Sequence, residues 1–241
     1  MADMLGTGLS SLRAMRRALD TTAHNIANVS TAGYTRQRVD FETRKPEAYG
    51  TNWIGTGVNA TAVRRVYDQF VQQQVRTSSG TLGRLEAFAS QAERLDNLLG
   101  DTASGLGATL QSFTDAISEV STTPNSIAAR QVLLAEGRAL TERLRTYDAR
   151  LREMSQGVDA QLSAEAGEIN TLAEGIARLN GDIAVAVQNT GQPPNDLLDQ
   201  RDLLVDELSA KLGVTVVAEG ESTLNVFPKL ALGAYESSAP F

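Results

Sequence analysis

The run "LTERLRTYDARLREMSQGV", residues 140–158, decides the fold class. Its apolar members Leu140, Leu144, Tyr147, Leu151, Met154 and Val158 recur at alternating steps of four and three. That is the period of a helix burying one stripe, and it excludes a strand. A further step of four reaches Leu162, a stutter, after which Ile169, Leu172, Ile176, Leu179 and Ile183 resume the register. A helix this long needs a partner along its length, so the pattern predicts antiparallel packing against a second long helix over Asp68–Leu99 and a rod-shaped bundle.

On the N-terminal side of that run, Asp68 stands where an N-cap belongs, ahead of Leu82, Leu85, Ala89, Ala92, Leu95 and Leu99. Gly100–Gly107 breaks that helix. Leu106, Leu110, Phe113, Ile117 and Val120 mark another, which Thr122–Pro124 ends. After the long helix, "QNTGQPPND" (residues 188–196) reads as a turn, with Asn195 capping a short helix that runs to about Lys211 and stops at Gly213. Val214–Val217 and Thr223–Phe227 flank "AEGES" as a β-hairpin.

Nearer the N-terminus, Leu5, Leu9, Leu12, Leu19, Ala23 and Ile26 fall on one heptad stripe, with Arg16 at the odd position and Met15 beside it. This pattern predicts a helix over Leu5–Ala27, and that helix cannot bury its stripe alone. Residues 28–57 read as an irregular, extended connection with some strand, and Val58–Val66 as a strand. The expected architecture is mainly α: an elongated antiparallel helical bundle with an N-terminal coiled-coil helix and a small β-hairpin near the C-terminus. Its parts are residues 1–33 (the coiled-coil helix and its exit), 34–67 (an extended linker with short strands), 68–212 (the bundle), 213–227 (the start of a β-rich domain) and 228–241 (an atypical tail).

Composition supports this reading. The chain is 41% hydrophobic but only 5% aromatic, so its core is aliphatic, as helix packing requires. The first 67 residues hold nine Lys/Arg and five Asp/Glu, a net of +4, and the remainder therefore carries −11 of the total −7. An acidic body argues against nucleic acid as a partner. The basic front suits an acidic surface, including another copy of the same protein. There is no cysteine and one histidine, which removes disulfides and most transition-metal sites. No apolar run reaches the roughly 18 residues that a membrane-spanning helix needs. Arg13, Arg16 and Arg17 interrupt the N-terminal apolar pattern, so it is not a secretory signal. Taken alone these signals describe a cytosolic protein.

Candidate chemistry is thin. "GDTASGLG" (residues 100–107) lacks the Lys-Ser/Thr of a phosphate loop and comes after a helix, not a strand. His24 stands one turn after Asp20 with no nucleophile nearby, and reads as a polar helix end. Asn28-Val29-Ser30 is a sequon too short to weigh. Asp196, Asp199, Asp202 and Asp206 share one helical face. They could hold a cation, but the simpler expectation is that the first two complement the helix N-terminus and that Arg201, Arg130 or other basic groups pair with the rest. No catalytic, cofactor or metal site is expected.

The exit from the N-terminal helix is richer. Asn25, Asn28, Ser30, Thr31 and Gly33 form a chain-reversal cassette: Asn tolerates left-handed backbone, Gly33 supplies positive φ, and the hydroxyls bond local backbone. Such a cassette sets the angle at which the helix joins the extended segment.

The stretch "ALDTTAHNIANVSTAGYTRQRV" (residues 18–39) resembles the N-terminal signature of the bacterial flagellar rod, hook and hook-associated family. Its tail, Gly33-Tyr34-Thr35-Arg36-Gln37, is similar to the hook–filament junction branch. "GTGVNATAVRRVYDQFVQQQVR" (55–76), "SIAARQVLLAEGRALTERL" (126–144) and "PNDLLDQRDLLVDELS" (194–209) resemble the same branch. The signature often carries Asn or Ser where His24 stands, which argues against a role for that histidine.

The resemblance implies a non-enzymatic structural subunit of the flagellum, forming the hook–filament junction by self-assembly. It is exported through the flagellar type III apparatus without a cleaved signal, so the location is extracellular, against the cytosolic reading above. Implied partners are other copies of itself, hook protein, a second hook-associated protein, the export apparatus and a secretion chaperone. Nucleic acid and stable membrane insertion are not implied. The implied assembly interface combines Leu5, Leu9, Leu12, Leu19, Ala23 and Ile26 with the exit residues Asn25, Asn28, Thr31, Gly33, Tyr34, Arg36 and Gln37. In the family a C-terminal heptad helix pairs with the N-terminal one and a β-rich domain comes after Phe227. "PKLALGAYESSAPF" (228–241) does not match that pattern, and a truncated or frame-altered product is the expectation. The competing expectation is a generic coiled-coil adaptor, or a membrane-surface binder docking its N-terminal helix on lipid headgroups.

Overall fold

A computed structural model describes residues 4–99, 105–219 and 223–228. The chain is mainly α, with helices α1 (Met4–Ala27), α2 (Gln69–Leu99), α3 (Leu106–Thr122), α4 (Ile127–Thr190) and α5 (Asn195–Lys211). Short strands lie in antiparallel pairs: β1 (Gln37–Thr43) with β4 (Val58–Arg65), β2 (Glu47–Tyr49) with β3 (Asn52–Ile54), and β5 (Val214–Glu219) with β6 (Thr223–Pro228).

A cap sets the start of α2 where expected. The Asp68 carboxylate accepts the Phe70 and Val71 N–H groups at 3.0 and 3.1 Å. Ser126 Oγ accepts the Ala129 N–H at 3.2 Å, and α4 then runs unbroken for 64 residues. Asn195 behaves differently from its expected role. The cap of α5 is Pro194, whose ring has no hydrogen-bonding group to offer, and Asn195 is the first helical residue with its amide turned outward to other elements. Of the glycine-rich run at 100–107, residues 100–104 lie outside the described residues, and Gly105 stands at the N-cap of α3.

The chain divides into two compact units, residues 83–168 and residues 1–82 with 169–241, and both α2 and α4 pass through each. In the first unit Ala116, Ala129 and Tyr147 are buried, and Gly137 on α4 lets the Phe113 ring of α3 come close. Leu162, at the stutter, is 63% exposed: the step of four moves it off the seam.

The second unit holds the denser core. Ile176, Val205, Leu208, Val214 and Leu224 are buried together, with Ile169, Leu172, Leu204, Val216 and Val226 packed on them. Here α4, α5 and the β5–β6 hairpin share one apolar centre. A Cβ on Gly80 of α2 would lie 2.7 Å from the Ser209 carbonyl of α5, so only glycine permits that close helix approach. The segment before β4 holds more strand than an irregular connection would. β1 pairs with β4 from Gln37↔Arg65 to Thr43↔Val58, with a bulge between Asp40 and Phe41. β1 is exposed from Phe41 onward and carries no clean apolar alternation, whereas β4 alternates half-buried Val58, Ala60 and Ala62 with exposed Asn59 and Thr61, in keeping with its reading as a strand.

Candidate functional site: the N-terminal helix and its polar anchor

Helix α1 has two unlike faces. Ser10 and Ala14 are buried against the β1–β4 ribbon, small enough to let the ribbon approach. Ser10 Oγ accepts the Val58 N–H at 3.2 Å and donates to the Thr7 carbonyl at 2.8 Å. At 3.6 residues per turn, Leu5, Leu12, Leu19, Ala23 and Ile26 point the opposite way, with Leu9 on the stripe's flank. Leu5 is 85% exposed, Leu12, Leu19 and Ile26 each 69%, and Leu9 47%. The helix is thus held by its small face while its large apolar row stands in solvent.

The exit cassette explains its own composition. The Asn25 amide pairs with the backbone of Gln37 as a neighbouring strand would: Nδ2 donates to the Gln37 carbonyl at 2.8 Å and Oδ1 accepts the Gln37 N–H at 2.8 Å. The Tyr34 hydroxyl donates to the same Oδ1 at 2.7 Å. Burial, then the Asp196 and Asp199 charges, push the Tyr34 phenol above its ordinary pKa, which keeps this donor protonated. Asn28 Nδ2 donates to the His24 carbonyl at 3.0 Å, and the Asn28 carbonyl accepts the Thr31 N–H at 2.9 Å. Gly33 adopts φ +75°, the left-handed conformation expected for it, and a Cβ there would stand 3.0 Å from Leu203 Cβ on α5.

That segment is anchored on the acidic face of α5. The Thr35 N–H donates to Asp199 at 2.9 Å, and Gln37 Nε2 to Asp196 at 3.0 Å. Asn195 Nδ2 donates to the Val63 carbonyl of β4 at 2.8 Å and to Gln37 Oε1 at 3.2 Å. His24 Nε2 lies 3.4 Å from Asp196, not beside Asp20, which instead stands 4.0 Å from Arg16. The Arg36 carbonyl accepts the Val66 N–H at 2.8 Å, tying the start of β1 to the end of β4, while its side chain is exposed.

Behind the anchor lies a buried charge network. Arg65 bridges Asp199 and Asp202 at 2.8 and 2.7 Å. Arg76 on α2 donates to Asp206 at 2.6 Å and reaches Asp202 at 3.5 Å, and Gln72 donates to Asp206 at 2.7 Å. The Arg65, Asp199, Asp202 and Arg76 side chains are only 12, 7, 10 and 3% exposed. Burial acts to lower the Arg65 pKa, but the hydrogen bonds to Asp199 and Asp202 outweigh it and hold the guanidinium charged. Arg65 also stacks 5.0 Å from the Tyr67 ring centre. The expectation that basic groups pair with these acids holds, and the groups are Arg65 and Arg76, which the spacing on α5 does not name. Arg201 is only one or two residues from Asp199 and Asp202 on the same helix, where side chains point to different faces. It donates to Asn180 at 3.0 Å, and Arg130 donates to the Pro124 carbonyl at 3.0 Å. Among the described residues no group of three or more acidic or histidine side chains is placed to hold a metal ion.

Of the residues singled out from the sequence, Asn25, Asn28, Thr31, Gly33, Tyr34 and Gln37 converge on one junction. The leucine stripe lies on the far side of α1, away from it. Sequence reasoning named neither Arg65 nor Arg76, cast Asn195 as a cap, and expected the α5 acids to complement the helix N-terminus and to pair with basic groups it did not place. The available signal was the three-and-four spacing of those acids set against a basic N-terminal third.

The comparisons define first a class. Residues 5–35, covering α1 and the exit cassette, match the family model of flagella basal body rod proteins. Residues 92–233 match the model of the flagellar hook-associated protein FlgK helical domain, and the chain belongs to the flagellar hook-associated protein FlgK family. It is 35% identical over 227 residues to flagellar hook-associated protein 1 of Salmonella typhimurium, covering 94% of this chain and 41% of that protein. The protein of the same name from Escherichia coli is 33% identical over 227 residues, covering 94% of this chain and 42% of the relative. That from Bacillus subtilis is 33% identical over 239 residues, covering 92% and 47%. Among solved structures, the flagellar hook junction protein FlgK from Burkholderia pseudomallei superposes with a TM-score of 0.59 at 28% identity, over 65% of this chain and 27% of that one. The chain therefore spans less than half the length of the curated relatives it matches.

Proposed function

We propose that this chain is a structural, non-catalytic subunit of the flagellar hook–filament junction, built into the flagellum by self-assembly. The observation that carries the reading is the split of α1: a small face hydrogen-bonded to its own ribbon and a row of leucines left in solvent. A contiguous exposed apolar row of this kind fits a protein interface, and the rod-family match covers the same residues.

In this reading residues 1–33 form the assembly element, 34–67 the connection, 68–212 the helical bundle and 213–227 the start of a further β-rich domain. Leu5, Leu9, Leu12, Leu19, Ala23 and Ile26 make contact with neighbouring subunits. Asn25, Asn28, Thr31, Gly33, Tyr34, Arg36 and Gln37 set the angle at which that contact is presented. The partners are other copies of the chain, hook protein and a second hook-associated protein. A secretion chaperone and the flagellar export apparatus handle it beforehand, without a cleaved signal. No nucleic acid is bound, and no described helix is long and apolar enough to cross a membrane.

Fractionation tests this. A junction subunit is recovered with flagella sheared from the cells, and electron microscopy of a strain lacking the gene shows hooks without attached filaments. Recovery of the protein only in the cell pellet, or normal filaments in that strain, would refute the reading and favour an adaptor.

A further inference from the structure

Residues 44–57 extend the β1–β4 ribbon into an arm. At its base the Arg44 N–H donates to the Gly57 carbonyl at 2.9 Å, and the Thr56 hydroxyl to the Lys45 carbonyl at 2.7 Å. At its tip β2 and β3 pair as Ala48↔Trp53 and Tyr49↔Asn52 around the two-residue turn Gly50-Thr51. Successive strand residues face opposite sides, so Trp53 lies on one face of the tip and Tyr49 on the other. Trp53, the single tryptophan of the chain, is 72% exposed, and Tyr49 is 59% exposed. Every residue from Phe41 to Trp53 is exposed.

A lone two-stranded hairpin is marginal in water. This one forgoes the burial that its two largest side chains could supply. Its charge indicates the missing cover. Arg44 and Lys45 stand at its base against Glu47, within a basic front of net +4, whereas the rest of the chain carries −11.

We propose that this aromatic arm is a second self-interaction surface, seating Trp53 on the acidic helical part of a second copy of this chain. The proposal rests on the self-assembly reading above. Arm and receiving surface are different parts of the chain, so the contact is head-to-tail and propagates into a ring or helix. The opposite charges steer the arm to the body of its neighbour and disfavour arm-to-arm contact.

The test is photo-crosslinking in intact flagella. The full-length protein with Trp53 replaced by p-benzoylphenylalanine is co-expressed with the unmodified protein, so that incorporation does not depend on the probe. Irradiation should give a covalent homodimer whose cross-linked peptide maps to residues 68–228 of the second copy. Reversing the basic pair, Arg44→Glu with Lys45→Glu, should lower the homodimer yield at least threefold. Crosslinks only to a different flagellar protein, or none from flagella that contain the chain, would overturn the arm proposal and leave the α1 reading standing. Absence of the unmodified protein from flagella would overturn both.

Discussion

Replacing Arg65 by Met removes the guanidinium that bridges Asp199 and Asp202. Methionine keeps much of the stem's packing, so the change isolates the charge. Two charge-assisted hydrogen bonds of 2.8 and 2.7 Å are lost. Two carboxylates, each no more than 10% exposed, then face one another. Asp202 retains Arg76 at 3.5 Å and Asp199 retains the Thr35 N–H at 2.9 Å, so neither is wholly abandoned. Removing one partner of a buried pair costs about 3–5 kcal/mol, and the retained contacts put Arg65→Met at the low end, about 3 kcal/mol. For a chain of this size that corresponds to roughly 6–12 °C in Tm. The assay is urea unfolding monitored by circular dichroism, fitted to allow the two units separate transitions. The reasoning makes a second demand. If the cost comes from stranded carboxylates, the triple variant Arg65→Met, Asp199→Asn, Asp202→Asn should regain at least about 1 kcal/mol over the single variant. A single variant that loses less than about 1 kcal/mol, or a triple variant no more stable than it, would refute the account of the anchor.

Gly33→Val places a branched side chain at φ +75° with its Cβ 3.0 Å from Leu203 Cβ. It should cost at least about 1–2 kcal/mol from the backbone conformation alone, seen as a lower urea midpoint of the isolated chain, with Gly33→Ala intermediate. Leu172→Asp sets a carboxylate against the Ile176–Val205–Leu208 core and should cost more than about 2 kcal/mol by thermal denaturation; a smaller loss would displace Leu172 from the seam. Leu12→Asp, at a site 69% exposed, should change monomer stability by no more than about 0.5 kcal/mol yet abolish recovery in sheared flagella. Burial, then the Asp202 charge, raise the Tyr67 pKa above 10.0 in the folded chain. The stability linked to neutral Tyr67 is therefore complete below pH 10 and lost as pH rises through the raised folded value. Tyr67→Phe should flatten that alkaline fall in a pH series of urea midpoints.

The elements that could be read from the sequence are those governed by neighbours along the chain. The four-and-three spacing from Leu140 to Val158 reflects the period of the helix itself. Asp68 caps α2 because a short polar side chain reaches N–H groups two or three residues on. Gly33 was legible because only local sterics decide a positive φ. The leucine stripe of α1 was legible for the same reason, since one helix carries its whole period.

Pairings across long separations lay outside the sequence's reach. Arg65 meets Asp199 and Asp202 at distances of 134 and 137 residues along the chain. Spacing on α5 shows that its acids share a face, but not which cation crosses to them. Asn195 looked like a cap because its neighbours are turn residues, yet tertiary contact with Val63 and Gln37 claimed its amide. Ser10 and Ala14 are small and lie off the leucine stripe, so the buried face of α1 was invisible until the ribbon was seen against it. Periodicity and capping are local steric properties, and the order of residues is enough to fix them. Which charge meets which is settled in the folded chain, because that choice is made when distant segments close on one another and each buried group must find a partner.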